Sequence, residues 1–145
     1  MLSTIRAMEE NDRSRVLDMM RVFYSSDAVW SNGSEDIFEA DINTCISGSP
    51  YLEGYIFESP EDIQGYAMVA KSFSTEFGKP CIWIEDLYVK KEFRGCGIGS
   101  LFLNFIERKY PNSIFRLEVE EENHRAVNVY QKCGYTEIPY MEMKK

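Results

Sequence analysis

The heptapeptide Arg94-Gly95-Cys96-Gly97-Ile98-Gly99-Ser100 is the stretch of this chain best suited to hold a ligand. An apolar run over residues 81–89 leads into it and an amphipathic run over 98–109 leads out, so the glycines fall between a strand and a helix start. Glycine lets a ligand approach the backbone, because no Cβ stands in the way. The N–H groups of a first helical turn lack intrahelical partners and lie at the positive end of the helix dipole. Such a turn is a site for an anion, most often phosphate. Counted from Gly95, a dinucleotide fingerprint G-x-G-x-x-G would need glycine where Ser100 stands, and a G-x-x-x-x-G-K-[ST] loop would need a lysine after Gly99. The spacing that does hold is R-x-x-G-x-G, from Arg94 through Gly97 to Gly99. A glycine turn without a ligand is the plain alternative.

Other side chains near this loop could do chemistry. Ile82-Trp83-Ile84-Glu85-Asp86-Leu87 sets two carboxylates inside an apolar strand. A buried carboxylate is costly unless paired or functional, so the pair marks a site or a strand end that reaches solvent. Successive strand residues face opposite sides, so in a regular strand only one of the two reaches a given cleft. On periodicity alone, Tyr130 reads as a core tyrosine on the apolar face of its helix. Cys96 has no neighbouring base and reads as a spacer rather than a nucleophile. His124, the single histidine, is polar-flanked in a first helical turn and reads as a surface residue. Cys45, Cys81, Cys96 and Cys133 form no C-x-x-C pair, so the expectation is no zinc, no redox pair and no metal.

These residues need elements to position them. Residues 2–7 read as a strand, and Asn11 or Asp12 can cap a helix that carries Val16, Leu17, Met20, Phe23 and Tyr24 at helical spacing. A loop over 26–33 precedes a second helix, capped by Ser34, with Phe38, Ile42, Cys45 and Ile46 as its stripe. Strands are expected over 51–58, 63–73 and 81–89, the last two apolar on both faces and therefore covered by helices on both sides. The helix after the loop carries Ile98, Leu101, Phe102, Phe105 and Ile106 on one face. A strand over 114–119, a helix capped by Asn123 and closed by Gly134, and a final strand or hairpin over 135–143 complete the chain. The order β-α-α-β-β-β-α-β-α-β(-β) predicts an α/β (α+β mixed) fold, a central mixed sheet of six to seven strands with helices on both faces.

At 145 residues, 44% hydrophobic and 28% charged, the chain has the size and composition of one globular domain. No run approaches a membrane span, and the first residues lack a signal-peptide core, so no membrane partner and a cytoplasmic setting are expected. The formal net charge of −8 disfavours nucleic acid and suits a cationic substrate. Lys90, Lys91 and Arg94 form a local positive patch at the loop.

Two spaced patterns carry a family resemblance. The loop matches [QR]-x-x-G-x-[GA], and Asn123-x-x-Ala126-x-x-x-Tyr130-x-x-x-Gly134-Tyr135 matches N-x-x-A-x-x-x-Y-x-x-x-G-[FY]. Between residues 82 and 135 the chain resembles the GNAT superfamily of acetyl-CoA-dependent N-acetyltransferases; before that, only element order and length match. The Glu85-Asp86 pair resembles the spermidine/spermine acetyltransferases in particular. The resemblance implies a GNAT-type acyl-CoA N-acyltransferase fold over 1–145, with acetyl-CoA as co-substrate. The backbone of Leu87, Tyr88 and Val89, the loop from Arg94 through Gly95, Cys96, Gly97, Ile98 and Gly99 to Ser100, and Asn123 and Lys132 would bind it. Tyr130 would protonate the CoA sulfur. Glu85 would help deprotonate the amine, with a strand bulge relaxing the facing problem. Trp83, Asp86, Tyr24 and Asp27 would shape the acceptor side, with Trp30, Glu35 and Asp36 nearby, for a small cationic amine. A homodimer paired through an exposed terminal strand is possible in such a fold. An acetyltransferase of protein lysines or N-termini, and a non-catalytic CoA-binding regulatory domain, are the rival readings.

Overall fold

The structure is a computed structural model that describes residues 2–145. Strands β1 (Thr4–Ala7), β2 (Leu52–Glu58), β3 (Ile63–Ser74), β4 (Lys79–Val89) and β5 (Ile114–Leu117) form one sheet in the order β1-β2-β3-β4-β5. The first four run antiparallel, and β5 lies parallel to β4. A parallel neighbour requires a crossover, which the glycine loop and the helix after it supply. The helices are α1 (Arg13–Tyr24), α2 (Glu35–Ile46), α3 (Ile98–Lys109) and α4 (His124–Lys132), with 3₁₀ turns at Glu10–Asp12 and Lys91–Phe93.

Helices cover both faces, as the two-sided strands predict. Val16 and Met20 of α1 and Phe38 and Ile42 of α2 pack on Ile56, Tyr66 and Met68. Ile98, Phe102, Leu103 and Ile106 of α3 pack on Phe57, Ala67, Val69, Ile82 and Ile84. Neighbours in sequence, such as Ile56 and Phe57 or Met68 and Val69, therefore enter opposite cores, which is the period-two signature of a sandwiched strand. Ser34 caps α2 by accepting from the Ile37 N–H at 3.3 Å.

Strand β4 departs from regularity where the chemistry was expected. Met68 pairs with Asp86 and Val69 with Ile84, which leaves Glu85 as an extra residue. This bulge shifts the alternation by one position. Ile82 and Ile84 face α3, but beyond the bulge Tyr88 belongs to the α1–α2 core. The β4–β5 ladder runs from Cys81–Ile114 to Ile84–Leu117 and stops there. From Glu85 to Val89, β4 keeps β3 on one side and has no strand on the other.

The sheet has five strands rather than six to seven. Strand β5 ends at Leu117 instead of residue 119, and residues 135–145 form no regular element. Pro139 has no N–H to give a ladder, and Ile138, Tyr140, Met141 and Met143 stay exposed. Side chains tether the tail instead: the Tyr140 hydroxyl donates to Glu76 at 2.6 Å, and Lys144 Nζ stands 6.0 Å from the Trp30 ring centre.

Gly65 lets β3 and β4 approach at the Val89 end of the ladder. A Cβ there would lie 2.2 Å from the Tyr88 carbonyl oxygen. Gly65→Ala is expected to destabilise the fold by about 1–3 kcal/mol and to lower the melting temperature by several degrees, measured by circular dichroism.

Candidate active site

The free stretch of β4 leads into the glycine loop. The Arg94 Nε–H donates to the Val89 carbonyl at 2.8 Å, and its guanidinium stands 5.7 Å from the Tyr88 ring centre, so Arg94 pins loop to strand. Gly95 and Gly97 hold φ of +79° and +80°, a left-handed conformation that favours glycine. Gly97 is the N-cap of α3 and offers no side chain to its first turn. The N–H groups of Ile98, Gly99 and Ser100 therefore point out of the helix start, since the first intrahelical bond runs from Leu101 N–H to the Gly97 carbonyl at 2.9 Å. A Cβ on Gly97 would meet nothing within 4 Å, so the space over the loop is open to an anion. Helix α4 closes the other side: Cys133 Sγ lies 3.6 Å from Ser100 Oγ, and Arg125 reaches to 3.8 Å from a Cβ built on Gly95.

Across the sheet the carboxylates gather. Asp86 is only 4% exposed, and both its oxygens accept hydroxyl hydrogens, from Tyr24 at 2.7 Å and from Tyr66 at 2.7 Å. Burial raises its pKa, and the two hydroxyls oppose that rise. Glu85 is accessible at the bulge, yet surrounding protein, then Asp86 and Glu142, push its carboxyl above the usual range. Asp41 projects from the Phe38–Ile42–Cys45 stripe of α2, and burial, then Asp86 and Glu85, push it up to about 6. Among the described residues, none of Glu85, Asp86 and Asp41 has a Lys or Arg partner.

Tyr130 stands on the opposite face, packed with Leu87 and Val89 in the α3 core, its ring centre 5.9 Å from that of Tyr135. Burial pushes its hydroxyl up to about 12, so it carries its proton at neutral pH. The open edge of β4 therefore runs between the Glu85 carboxyl on one side and the helix that carries Tyr130 on the other. A carbonyl presented at that edge could meet backbone N–H groups, an amine from the acidic face and an acid from the other.

A model of the acetyltransferase (GNAT) family matches residues 15–135. The chain belongs to the GNAT acetyltransferase family. It is similar to the thialysine N-epsilon-acetyltransferases of Sus scrofa, at 31% identity, and Bos taurus, at 30%, each comparison covering 95% of this chain and 86% of the relative. In fold it is similar to a possible acetyltransferase from Clostridium difficile 630, with a TM-score of 0.81 at 20% identity, covering 100% of this chain and 97% of the other. It also resembles AAC(6')-Iy in complex with the bisubstrate analog CoA-S-monomethyl-acetylneamine, with a TM-score of 0.79 at 17% identity, covering 100% and 98%. This GNAT protein is an N-acetyltransferase.

Several expected GNAT site residues are gathered and others are not. The loop residues, Leu87, Tyr88, Val89, Glu85 and Tyr24 converge on the β4 edge and its two faces. Asn123 spends its side-chain oxygen on the α4 cap, accepting from the Ala126 N–H at 3.3 Å. Lys132 is exposed in the last turn of α4, and Lys90 turns toward Asp62, 3.7 Å away. Asp86 lies buried beneath this face, each of its oxygens accepting one tyrosine hydroxyl. Asp27 is exposed between α1 and α2 and joins no hydrogen bond or ion pair among the described residues. Trp30 is 79% exposed, and Glu35 is bound to Arg21 at 2.6 Å. Sequence reasoning missed Asp41 and Arg125. An ionisable residue inside the α2 stripe was the available signal for the first; nothing local marked the second.

Gly97→Ala is expected to strain the left-handed N-cap by about 1–2 kcal/mol and to put a methyl group into the open space. Calorimetric titration should show CoA binding weakened by at least about 10-fold, well beyond any loss in melting temperature.

Proposed function

We propose that residues 1–145 act as one domain that transfers the acetyl group of acetyl-CoA to a small cationic primary amine, by direct attack in a ternary complex. The observation that carries this reading is the bulge at Glu85, placed where the β4–β5 ladder ends. It brings a carboxylate with a raised pKa to the open strand edge that the glycine loop continues. The first-turn N–H groups of α3 would hold the pyrophosphate, with Arg125 and Lys91 adding positive charge. The pantetheine arm would pair with the free edge from Leu87 to Val89, and the Leu87 N–H would donate to the thioester carbonyl.

The acceptor nitrogen attacks the carbonyl carbon, so a C–N bond forms as the C–S bond breaks. Glu85, directly or through water, takes the first proton from the ammonium and so frees the lone pair that attacks. Tyr130 gives its hydroxyl proton to the departing sulfur, and the second proton, shed by nitrogen as the amide forms, makes good the Tyr130 hydroxyl through solvent. The uncompensated carboxylates Asp41, Asp86 and Glu85 favour a positively charged acceptor over a neutral one. The relatives' name, thialysine N-epsilon-acetyltransferase, supports a primary amine at the end of a short side chain. AAC(6')-Iy, crystallised with a CoA-containing bisubstrate analog and separately with CoA, supports acetyl-CoA as the donor. We place the enzyme in the cytoplasm, a compartment whose reducing conditions suit its four free cysteines. No helix among the described residues is long and apolar enough to cross a membrane.

Tyr130→Phe is expected to lower kcat about 100-fold, with CoA affinity within about 3-fold of wild type; steady-state rates and calorimetry read the two effects. An unchanged kcat sinks the acid role. Protonated Glu85 cannot accept a proton, so kcat should fall as pH drops through its raised pKa. Glu85→Gln should remove that acidic limb from the kcat–pH profile, and an unaltered profile sinks the base.

A further inference from the structure

A second polar site lies on the acidic side of β4, further back along the strand. Arg116 of β5 sits directly across from Trp83 in the parallel ladder. Their neighbours Ile82, Ile84, Phe115 and Leu117 pack toward α3, so Arg116 and Trp83 project from the other face, the face of Asp86. The guanidinium lies 4.8 Å from the Trp83 ring centre, within cation–π range. Its Nε–H is buried and finds no acceptor among the described residues. The residue as a whole is half-buried, lines an open cavity and makes no ion pair among the described residues, and a carboxylate is the partner that its planar fork fits.

The surroundings leave room for one. A cavity of about 330 Å³ opens beside Arg116 and Trp83, lined also by Ser72, Ser74, Thr75 and Glu76. The three hydroxyl residues can donate to an anion. Glu76, the one carboxylate of this group, accepts from the Tyr140 hydroxyl at 2.6 Å and makes no ion pair with Arg116. Trp83 stands two residues before Glu85, roughly 7 Å at the rise of a strand. An aminoalkyl side chain of lysine length spans that interval, with its carboxylate end at Arg116 and its amine at the bulge.

Resting on the amine-acetylating reading above, we propose that Arg116 binds a carboxylate of the acceptor, which makes the acceptor an amino acid acetylated on its side-chain amine. The acidic carboxylates select the amine end, and Arg116 selects the acid end. A polyamine, cationic at both ends, would meet the guanidinium with like charge.

The test uses the full chain, acetyl-CoA, and two acceptors, thialysine and thialysine amide, which share both amines and differ in the carboxylate charge. Wild type is expected to show a kcat/KM for thialysine about 10- to 100-fold above that for the amide, the range of a charge-assisted hydrogen bond. Arg116→Met should bring that ratio down toward unity, mainly through KM for thialysine, and Arg116→Lys should hold an intermediate ratio. Because the readout is a ratio within one variant, a partly folded preparation does not alter it. Equal rates for the two acceptors in wild type, or a ratio that Arg116→Met leaves in place, overturns this inference while the amine reading stands. Turnover of neither acceptor overturns both.

Discussion

One extra residue in β4 sets the arrangement of everything around it. A strand buried on both faces must keep strict alternation, or an apolar side chain leaves its core. The bulge at Glu85 breaks that alternation once, between Ile84 and Asp86, at the rung where β5 leaves the sheet. Before it, Ile82 and Ile84 fill the α3 core; after it, Tyr88 fills the α1–α2 core and Asp86 reaches Tyr24 and Tyr66. The same step leaves Glu85 unpaired and accessible. A regular strand would send Asp86 into the apolar α3 side, where no tyrosine hydroxyls would meet it.

Charge is sorted by the fold, and the net value of −8 conceals this. On the periphery, carboxylates are neutralised locally: Arg6 holds Asp12 at 2.9 Å and Glu58 at 2.8 Å, Arg13 holds Glu10 and Glu39 at 2.6 Å, and Arg21 holds Glu35 at 2.6 Å. Apart from the pair at Asp12, which is only 4% exposed, such partly exposed pairs contribute little to stability. Inside this rim, Asp41, Glu85 and Asp86 have no Lys or Arg partner among the described residues. On the far side of the sheet, Arg125 and the first turn of α3 give the loop the opposite sign. The strand edge thus separates a region suited to phosphate from one suited to ammonium.

Much of this was legible from local chemistry. The loop was visible because anion binding at a helix start needs glycines and free N–H groups within a few consecutive residues, all supplied by 94–100. Helix faces, the Ser34 cap and the two-sided strands were visible because 3.6- and 2-residue periods are written directly in the sequence. The terminal strand was misread because its alternating apolar residues look like a strand whether or not an edge accepts them. Here Pro139 and the short β5 deny it a partner.

The sequence by itself determined the family, the cradle, and the presence of a carboxylate pair and a tyrosine at fixed spacings from it. These are short-range properties, set by residue type and by distances of a few residues. Only the tertiary structure decided which carboxylate is free. Glu85 and Asp86 are equivalent in composition, and a single bulge, fixed by pairing with β3, gives one to the open edge and the other to two tyrosines. It alone also brought Asp41 from α2, Arg125 from α4 and Arg116 from β5 to the two ends of the site. Their distances along the chain carry no information about their distances in space, which the sheet order and the two helical layers set.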